Sequence, residues 1–152
     1  INLKKIVIDM SETMLDANGI GLAAPQVHLT HRMFIYINPD IDQDEKINIS
    51  VLINPKIEKL SEETEDNWEA CLSIPGMSGL VRRYKKVKFS GLDINGNKVQ
   101  GEVEGLHARV LQHEFDHLNG VLYTSKLVHK SAFGYTEEIE KFWKKENVQK
   151  SE

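Results

Sequence analysis

His113 and His117 stand four positions apart in Gln112-His113-Glu114-Phe115-Asp116-His117, an H-E-x-x-H pattern. On a helix, residues at i and i+4 lie one above the other on the same face. Two imidazoles so placed can share one metal ion. Glu114, one position round, can reach a water on that metal. Together these parts make hydroxide at neutral pH. A working site also needs a third ligand, a groove for substrate and donors for the negative charge that hydroxide attack creates.

Three candidates for the third ligand present themselves. A distant carboxylate, Glu137 or Glu138, has usable spacing for a zincin arrangement. The metzincin extension would need a third histidine after Gly120, and the chain has Tyr123 there. Cys71, upstream, would give a Cys-His-His set with a fourth position open to water. Thiolate plus two imidazoles is a fairly soft set, suited to zinc, ferrous iron, cobalt or nickel. A lone cysteine is more often a small buried hydrophobe than a ligand, so the residues alone leave the choice open.

Donors and groove are sought in two further stretches. Gly19-Ile20-Gly21-Leu22-Ala23-Ala24-Pro25-Gln26 formally contains G-x-G-x-x-A, but a helical pattern precedes it and Pro25 follows Ala24. A dinucleotide fingerprint needs a strand before and a helix after. An open loop is expected instead, with glycines that let backbone approach a ligand and Gln26 offering an amide donor. In Trp68-Glu69-Ala70-Cys71-Leu72-Ser73-Ile74-Pro75-Gly76, the Ile74-Pro75-Gly76 segment forces an extended or turning backbone. That would leave the Leu72 amide facing a ligand.

The elements that must hold these residues follow from periodicity. Leu3, Ile6, Val7, Met10, Met14 and Ala17 mark an amphipathic helix stopped by Asn18-Gly19. Met33 to Ile37 reads as a strand ended by Asn38-Pro39. Val51 to Ile53 reads as another, stopped by Asn54-Pro55, with Ile57 and Leu60 in a further strand. Residues 40–48 and the acidic Ser61 to Asn67 read as exposed loop, and Arg82-Arg83-Tyr84-Lys85-Lys86 as a solvated basic run. Asn95-Gly96 signals a hairpin, and Gly91 marks a change of alternation that predicts a bulge. Leu106 to Leu118 is a helix with one apolar side, stopped by Asn119-Gly120. Val121 to Tyr123 is a short strand or extension. Thr136 is placed to cap a last helix to about Asn147, with Ile139, Phe142 and Trp143 inward. His28, His31, His107 and His129 are assigned surface or packing roles.

Composition bounds the rest. The chain has 152 residues, 40% hydrophobic and 28% charged, which predicts one domain over residues 1–152 with a real core. A net charge of −4 gives no basic field for DNA. No apolar run approaches membrane-spanning length. One cysteine excludes an internal disulfide and fits a reducing compartment. The chain starts at Ile1 in mid-pattern, so upstream residues are expected.

Three motifs together then carry a resemblance. Gly19 to Gln26, Glu69-Ala70-Cys71-Leu72-Ser73 and Gln112 to His117 are similar, in order and approximate spacing, to the three motifs of the peptide deformylase family. The resemblance implies an α+β fold, with antiparallel β-sheets packed around a central H-E-x-x-H helix and helices at both ends. It implies Cys71, His113 and His117 as ligands of one divalent metal: ferrous iron in the cell, with zinc, nickel or cobalt acceptable. Glu114 would be general base and acid, and Gln26 with the Leu72 amide the oxyanion donors. Ile20 and Gly21 would line the substrate groove, and Glu69 and Arg83 form a supporting ion pair. Leu106 and Val110 join Ile20 in an apolar pocket for methionine.

The implied reaction removes the formyl group from the formyl-methionine of nascent peptides, releasing formate. The enzyme would be a cytoplasmic monomer of bacterial type, in transient contact with the ribosome; a lost leader would permit an organelle. Two departures stand out. Ala70 replaces the family's usual glycine beside the peptide, and the strand that normally precedes the first helix is absent. A catalytically impaired metal- or peptide-binding relative is the rival that Ala70 supports, and a zinc endopeptidase is a second.

Overall fold

The computed structural model describes residues 1–42 and 47–143. Its elements are α1 (Leu3–Asp16), β1 (Gly21–Ala23), β2 (Met33–Ile37), β3 (Ile49–Lys59), β4 (Thr64–Cys71), β5 (Ile74–Tyr84), β6 (Lys86–Leu92), β7 (Lys98–Glu104), α2 (Gly105–Leu118), β8 (Phe133–Tyr135) and α3 (Thr136–Glu138). Two antiparallel sheets form, one in the order β1-β2-β3-β6-β7 and the other β4-β5-β8. Helix α2 packs against strands of both. This is the α+β architecture expected from the sequence.

The position of β2 explains its unbroken apolar run. Met33 and Ile35 face α1, joining Met10, Met14 and Leu22. Phe34 and Tyr36 point the other way, onto Val110 and Leu111 of α2. A strand covered on both faces needs no polar alternation. The second sheet has its own small core of Cys71, Val81 and Tyr123. At its start, α1 is capped by the Asn2 side chain, which accepts from the Lys5 amide at 3.1 Å. It ends where Asn18 takes a left-handed φ of 56°, as the Asn-Gly signal required.

Several local expectations are corrected. Asn54-Pro55 does not stop a strand. One long β3 continues through a break in its pairing between Ile53 and Lys56. Asn54 takes a left-handed φ of 50° and its N–H donates to Arg32 O at 2.8 Å. The bulge expected at Gly91 therefore belongs to the facing strand. A side chain at Gly91 would meet Ile53 O at 2.9 Å, which is why glycine stands opposite the extra residues.

Thr64 to Asn67 are strand, not loop. Glu65 faces Arg83 and Asp66 faces Arg82 across the ladder. Opposite charges supply the cross-strand pairing that alternating apolar residues supply elsewhere. Tyr123–Lys126 is a 3₁₀ turn rather than the strand or extension expected to include Tyr123. In the last segment, Thr136 begins a helical turn, but its hydroxyl bonds Ser78 Oγ at 2.7 Å. Ile139 is buried, whereas Phe142 is 58% exposed and not inward. The expected continuation to Asn147 lies outside the described residues. Among the described residues, no helix is long and apolar enough to cross a membrane.

Candidate active site

Three elements from different parts of the chain meet at one point. Helix α2 supplies His113, Glu114 and His117. The end of β4 supplies Cys71. The edge of the five-stranded sheet supplies Gly21 and, one 3₁₀ turn later, Gln26. One ligand atom each from Cys71, His113 and His117 lies within 4.8 Å of the others, the one such cluster of three among the described residues. Cys71 Sγ is 3.3 Å from His117 Nε2. Glu137 and Glu138 are not in this cluster, so the carboxylate alternative for the third ligand is set aside.

Whether a metal fits can be judged from the donors. His113 has its Nδ1 2.8 Å from Glu69 Oε1, which leaves Nε2 to face the cluster. A carboxylate behind a ligating imidazole is the usual way of fixing its tautomer and orientation. Tetrahedral zinc holds sulfur at about 2.3 Å and nitrogen at about 2.0 Å, so its ligand atoms stand about 3.5 Å apart. The cluster needs little adjustment to meet that spacing. Beside it, Glu114 Oε2 is buried with no hydrogen-bond partner among the described residues. A buried carboxylate oxygen left unbonded points to a missing polar neighbour. The residues therefore fit a divalent cation.

The electrostatics match a ligand set waiting for a cation. Burial would raise the Cys71 pKa, but hydrogen bonds from His113 and His117, and from the Ser73 amide, outweigh it and lower it to about 5. Burial would likewise disfavour a charged His113, yet hydrogen bonding to Cys71 and Glu69 pushes its pKa up to about 10. Without metal the site holds an imidazolium beside a thiolate. Glu114 is pushed the other way, up to about 7, because burial costs the carboxylate more than the two histidines return.

Each candidate donor has a visible support. Gln26 Oε1 accepts from the Ala23 amide at 2.9 Å, which turns Nε2 toward the cluster. Nε2 donates to Ser73 Oγ at 3.0 Å and lies 3.6 Å from Cys71 Sγ. The expected open loop is thus a three-residue strand followed by a 3₁₀ turn that aims the amide. Leu72 sits in the two-residue turn between β4 and β5. Glu114 approaches Gly21 so closely that a Cβ there would stand 2.6 Å from Oε1.

A groove of about 550 Å³ opens over this point. Ile20, Gly21, Ala70, Leu106 and Val110 line it, as expected of them, together with Gln26, Leu72 and the ligands Cys71 and His113. Leu106 and Ile20 are more than half exposed at its rim. Glu69 also borders the groove, but its carboxylate is turned away from it. It accepts two bonds from Arg83, both at 2.9 Å, and one from Arg109 at 2.7 Å, besides contacting His113. Burial would raise its pKa, and Arg83 and His113 bring it down to about 2. Arg83 is accordingly buried, not part of a solvated run, and also pairs with Asp116.

Four neighbours escaped the sequence reading. Arg109 ties α2 to Glu69 and also donates to Val81 O at 2.9 Å and Glu65 O at 2.6 Å. Asp116 receives Arg83 and Lys126. Gln112 brackets the backbone of Tyr84, accepting from its N–H at 3.0 Å and donating to its carbonyl at 2.8 Å. Tyr123 stacks on the His113 ring at 6.1 Å. A helical signal was available for two of them: Arg109 and Asp116 lie at i−4 and i+3 from His113. His107 has the packing role expected, bonded to the Tyr36 hydroxyl at 3.0 Å and to Asp40 at 2.8 Å.

Comparison with known proteins adds the following. Residues 1–132 match the family model described as polypeptide deformylase. Peptide deformylase 1 of Bordetella pertussis is 46% identical over 138 residues, covering 89% of this chain and 78% of that protein. The solved peptide deformylase of Thermotoga maritima matches with a TM-score of 0.77 at 41% identity, over 84% of this chain and 82% of that one. A Met-Ala-Ser-bound class I type b peptide deformylase from Acinetobacter baumannii matches with a TM-score of 0.74 at 38% identity, over 82% and 80%.

Proposed function

The chain belongs to the polypeptide deformylase family, and from that premise we propose that Cys71, His113 and His117 hold its divalent metal while Glu114 moves the protons. The activity is metal-dependent hydrolysis of the N-formyl amide of nascent peptides. One observation carries the assignment of roles. A buried Glu114 stands with Oε1 3.9 Å from His113 Nε2, next to the three-ligand cluster but outside it.

A divalent ion held by Cys71, His113 and His117 would supply Lewis-acid charge and acidify a water. Glu114 accepts a proton from the water that attacks the formyl carbon and returns it to the leaving amine. Burial pushes the Glu114 pKa up in the metal-free site, and a cation at the cluster would draw it back toward the carboxylate, the form that accepts a proton. Gln26 Nε2 and the Leu72 N–H donate to the oxygen on which charge grows; losing one such donor typically costs about 10²–10³ in rate. Glu69 acts on His113 rather than on the peptide. Formate leaves, and the methionine amine is freed.

The methionine side chain enters the apolar part of the groove against Ile20, Leu106 and Val110. The following residues run between two strand edges, β1 in one sheet and β4 in the other, through backbone hydrogen bonds that tolerate many sequences. The Acinetobacter baumannii relative is bound to Met-Ala-Ser, which has the form of a deformylated product and supports a peptide that begins with methionine as the ligand of this groove. Ala70 is exposed on the groove wall. A methyl there narrows the groove, so it bears on substrate range.

The metal is ferrous iron in the cell, replaceable by zinc, nickel or cobalt, because thiolate with two imidazoles accepts all of them. The groove is assembled from one chain, which suits a monomer, and one helix joins both sheets, which suits a single domain. Formylated nascent chains place the enzyme in a bacterial-type cytoplasm, meeting the ribosome transiently. Lys141, with Lys144, Lys145 and Lys150 outside the described residues, is the basic set that would make that contact. A salt-sensitive ribosome pull-down of a tail deletion tests it.

The central test is anaerobic formate release from a formyl-Met tripeptide, with metal content measured on the same sample. Glu114→Ala is expected to keep stoichiometric metal and lose turnover. Full activity in that variant would remove Glu114 from the mechanism. Cleavage of internal, unformylated bonds instead would favour an endopeptidase.

A further inference from the structure

The C-terminal segment does more than close the second sheet. Strand β8 pairs with β5, placing Tyr135 opposite Met77. Thr136 is held to Ser78 by a 2.7 Å hydrogen bond, and both Met77 and Thr136 border the groove. Seven residues further on, Trp143 reaches back to β4. Its ring stands edge-on to that of Trp68, with centroids 5.8 Å apart and planes at 80°. Trp68 itself lines the groove.

Strand alternation says which substrate residue meets this pair. Among the described residues β4 has one strand neighbour, β5, so no strand pairs with its other edge along the groove, and the Trp68 N–H donates locally to Asn67 Oδ1 at 2.8 Å. The Glu69 side chain points inward and is buried; Trp68 and Ala70, on either side of it, face outward. An extended peptide pairing with that edge alternates in the same way. Its methionine points inward, toward Leu106 and Val110. The next side chain must then point outward, onto the face that carries Trp68 and Ala70.

We infer that Trp68, buttressed by Trp143, forms an aromatic subsite for the residue that follows the formyl-methionine. It favours aromatic and large apolar side chains there. The inference rests on the deformylase reading above and adds a second point of selection to it. An edge-to-face or stacked ring against a fixed indole favours an aromatic residue by about three- to tenfold over glycine. Trp143 acts through Trp68, as a positioning residue: its edge contact fixes the indole that would otherwise turn into solvent.

The test is direct because the chain has two tryptophans and both belong to this pair. The full-length metal-loaded protein is assayed on formyl-Met-Phe-Ala and formyl-Met-Gly-Ala. In parallel, the products Met-Phe-Ala and Met-Gly-Ala are titrated while tryptophan emission is followed. The expected result is a kcat/KM ratio of about three to ten in favour of phenylalanine, expressed mainly in KM, with a saturable emission change at lower concentration for Met-Phe-Ala. Trp68→Leu and Trp143→Ala each bring the ratio toward one, and Trp143→Phe, which keeps a ring edge, restores it. A ratio of one in the wild type, or a ratio unmoved by both variants, overturns the subsite. If neither formyl peptide releases formate, the deformylase reading fails instead. The emission titration then still decides whether Trp68 meets the second residue.

Discussion

At Gly21 the chain has no room for a side chain because Glu114 occupies the space. An added Cβ would lie 2.6 Å from Oε1 and 2.8 Å from Cδ of Glu114. Gly21→Ala therefore displaces the proton-moving carboxylate by several tenths of an ångström or more. Misplacement on that scale typically costs about 10²-fold in rate. We expect formate release to fall by about that factor while metal content and melting temperature stay close to wild type. Gly19→Ala is the comparison: its Cβ would meet Leu72 Cδ1 at 2.8 Å, the far end of a flexible side chain. It should be milder, and equal losses in the two variants would refute the Gly21–Glu114 contact as the cause. At this scale the sequence is legible where a motif states a type and a spacing. His113, Glu114, His117 and Cys71 come together as their motifs imply. Arg109 and Asp116 were hidden because a charged residue on a helix reads by default as solvated. Only the three-dimensional packing shows that the buried Glu69 carboxylate is met by two guanidinium groups.

Between elements, polar side chains do much of the joining. Helix α2 buries Gln112, Arg109 and Asp116 as well as its apolar residues, and each finds a partner on the second sheet. Gln112 is the clearest case. Its amide makes the same donor and acceptor pair with Tyr84 that a neighbouring strand would make. Gln112→Leu removes both bonds and leaves the Tyr84 N–H and carbonyl facing an apolar side chain. The expected cost is about 1–3 kcal/mol, measured as a lower urea midpoint with unchanged m-value. A shift within error would mean that Tyr84 is solvated instead. Helices α1 and α2 and strand β2 were legible because their apolar periods are long and uninterrupted. The long β3 was not, since Asn54-Pro55 is a strong stop signal that a bulge overrides, with Gly91 making room opposite. Nor was β4, whose outer end pairs through opposite charges rather than through alternating hydrophobes.

At the scale of the whole molecule, the ligand cluster is one of the points where α2, packed on the first sheet, meets the second. Cys71 comes from the second sheet, while His113 and His117 come from the helix that also packs on the first. An ion held there cross-links the two halves, so chelation should lower the melting temperature. Restoring the ion at about 1,000 times its Kd should return about 4 kcal/mol. The proton accounting of that binding gives a sharper test. In the metal-free chain Cys71 is already a thiolate above about pH 5, whereas His113 keeps its extra proton up to about pH 10. Binding must then displace the His113 proton and none from Cys71. Apparent affinity for zinc, measured by chelator competition between about pH 8 and 9, above the range in which Glu114 titrates, should rise about tenfold per pH unit. A neutral thiol beside an unprotonated imidazole would release one proton as well, so the slope counts the protons and the ultraviolet absorbance of the thiolate says which atom holds them. Absorbance that appears only when the metal arrives would show that the thiolate is not formed beforehand. Thiolate absorbance in the metal-free protein near neutral pH would show that the hydrogen bonds from His113, His117 and Ser73 prepare it in advance.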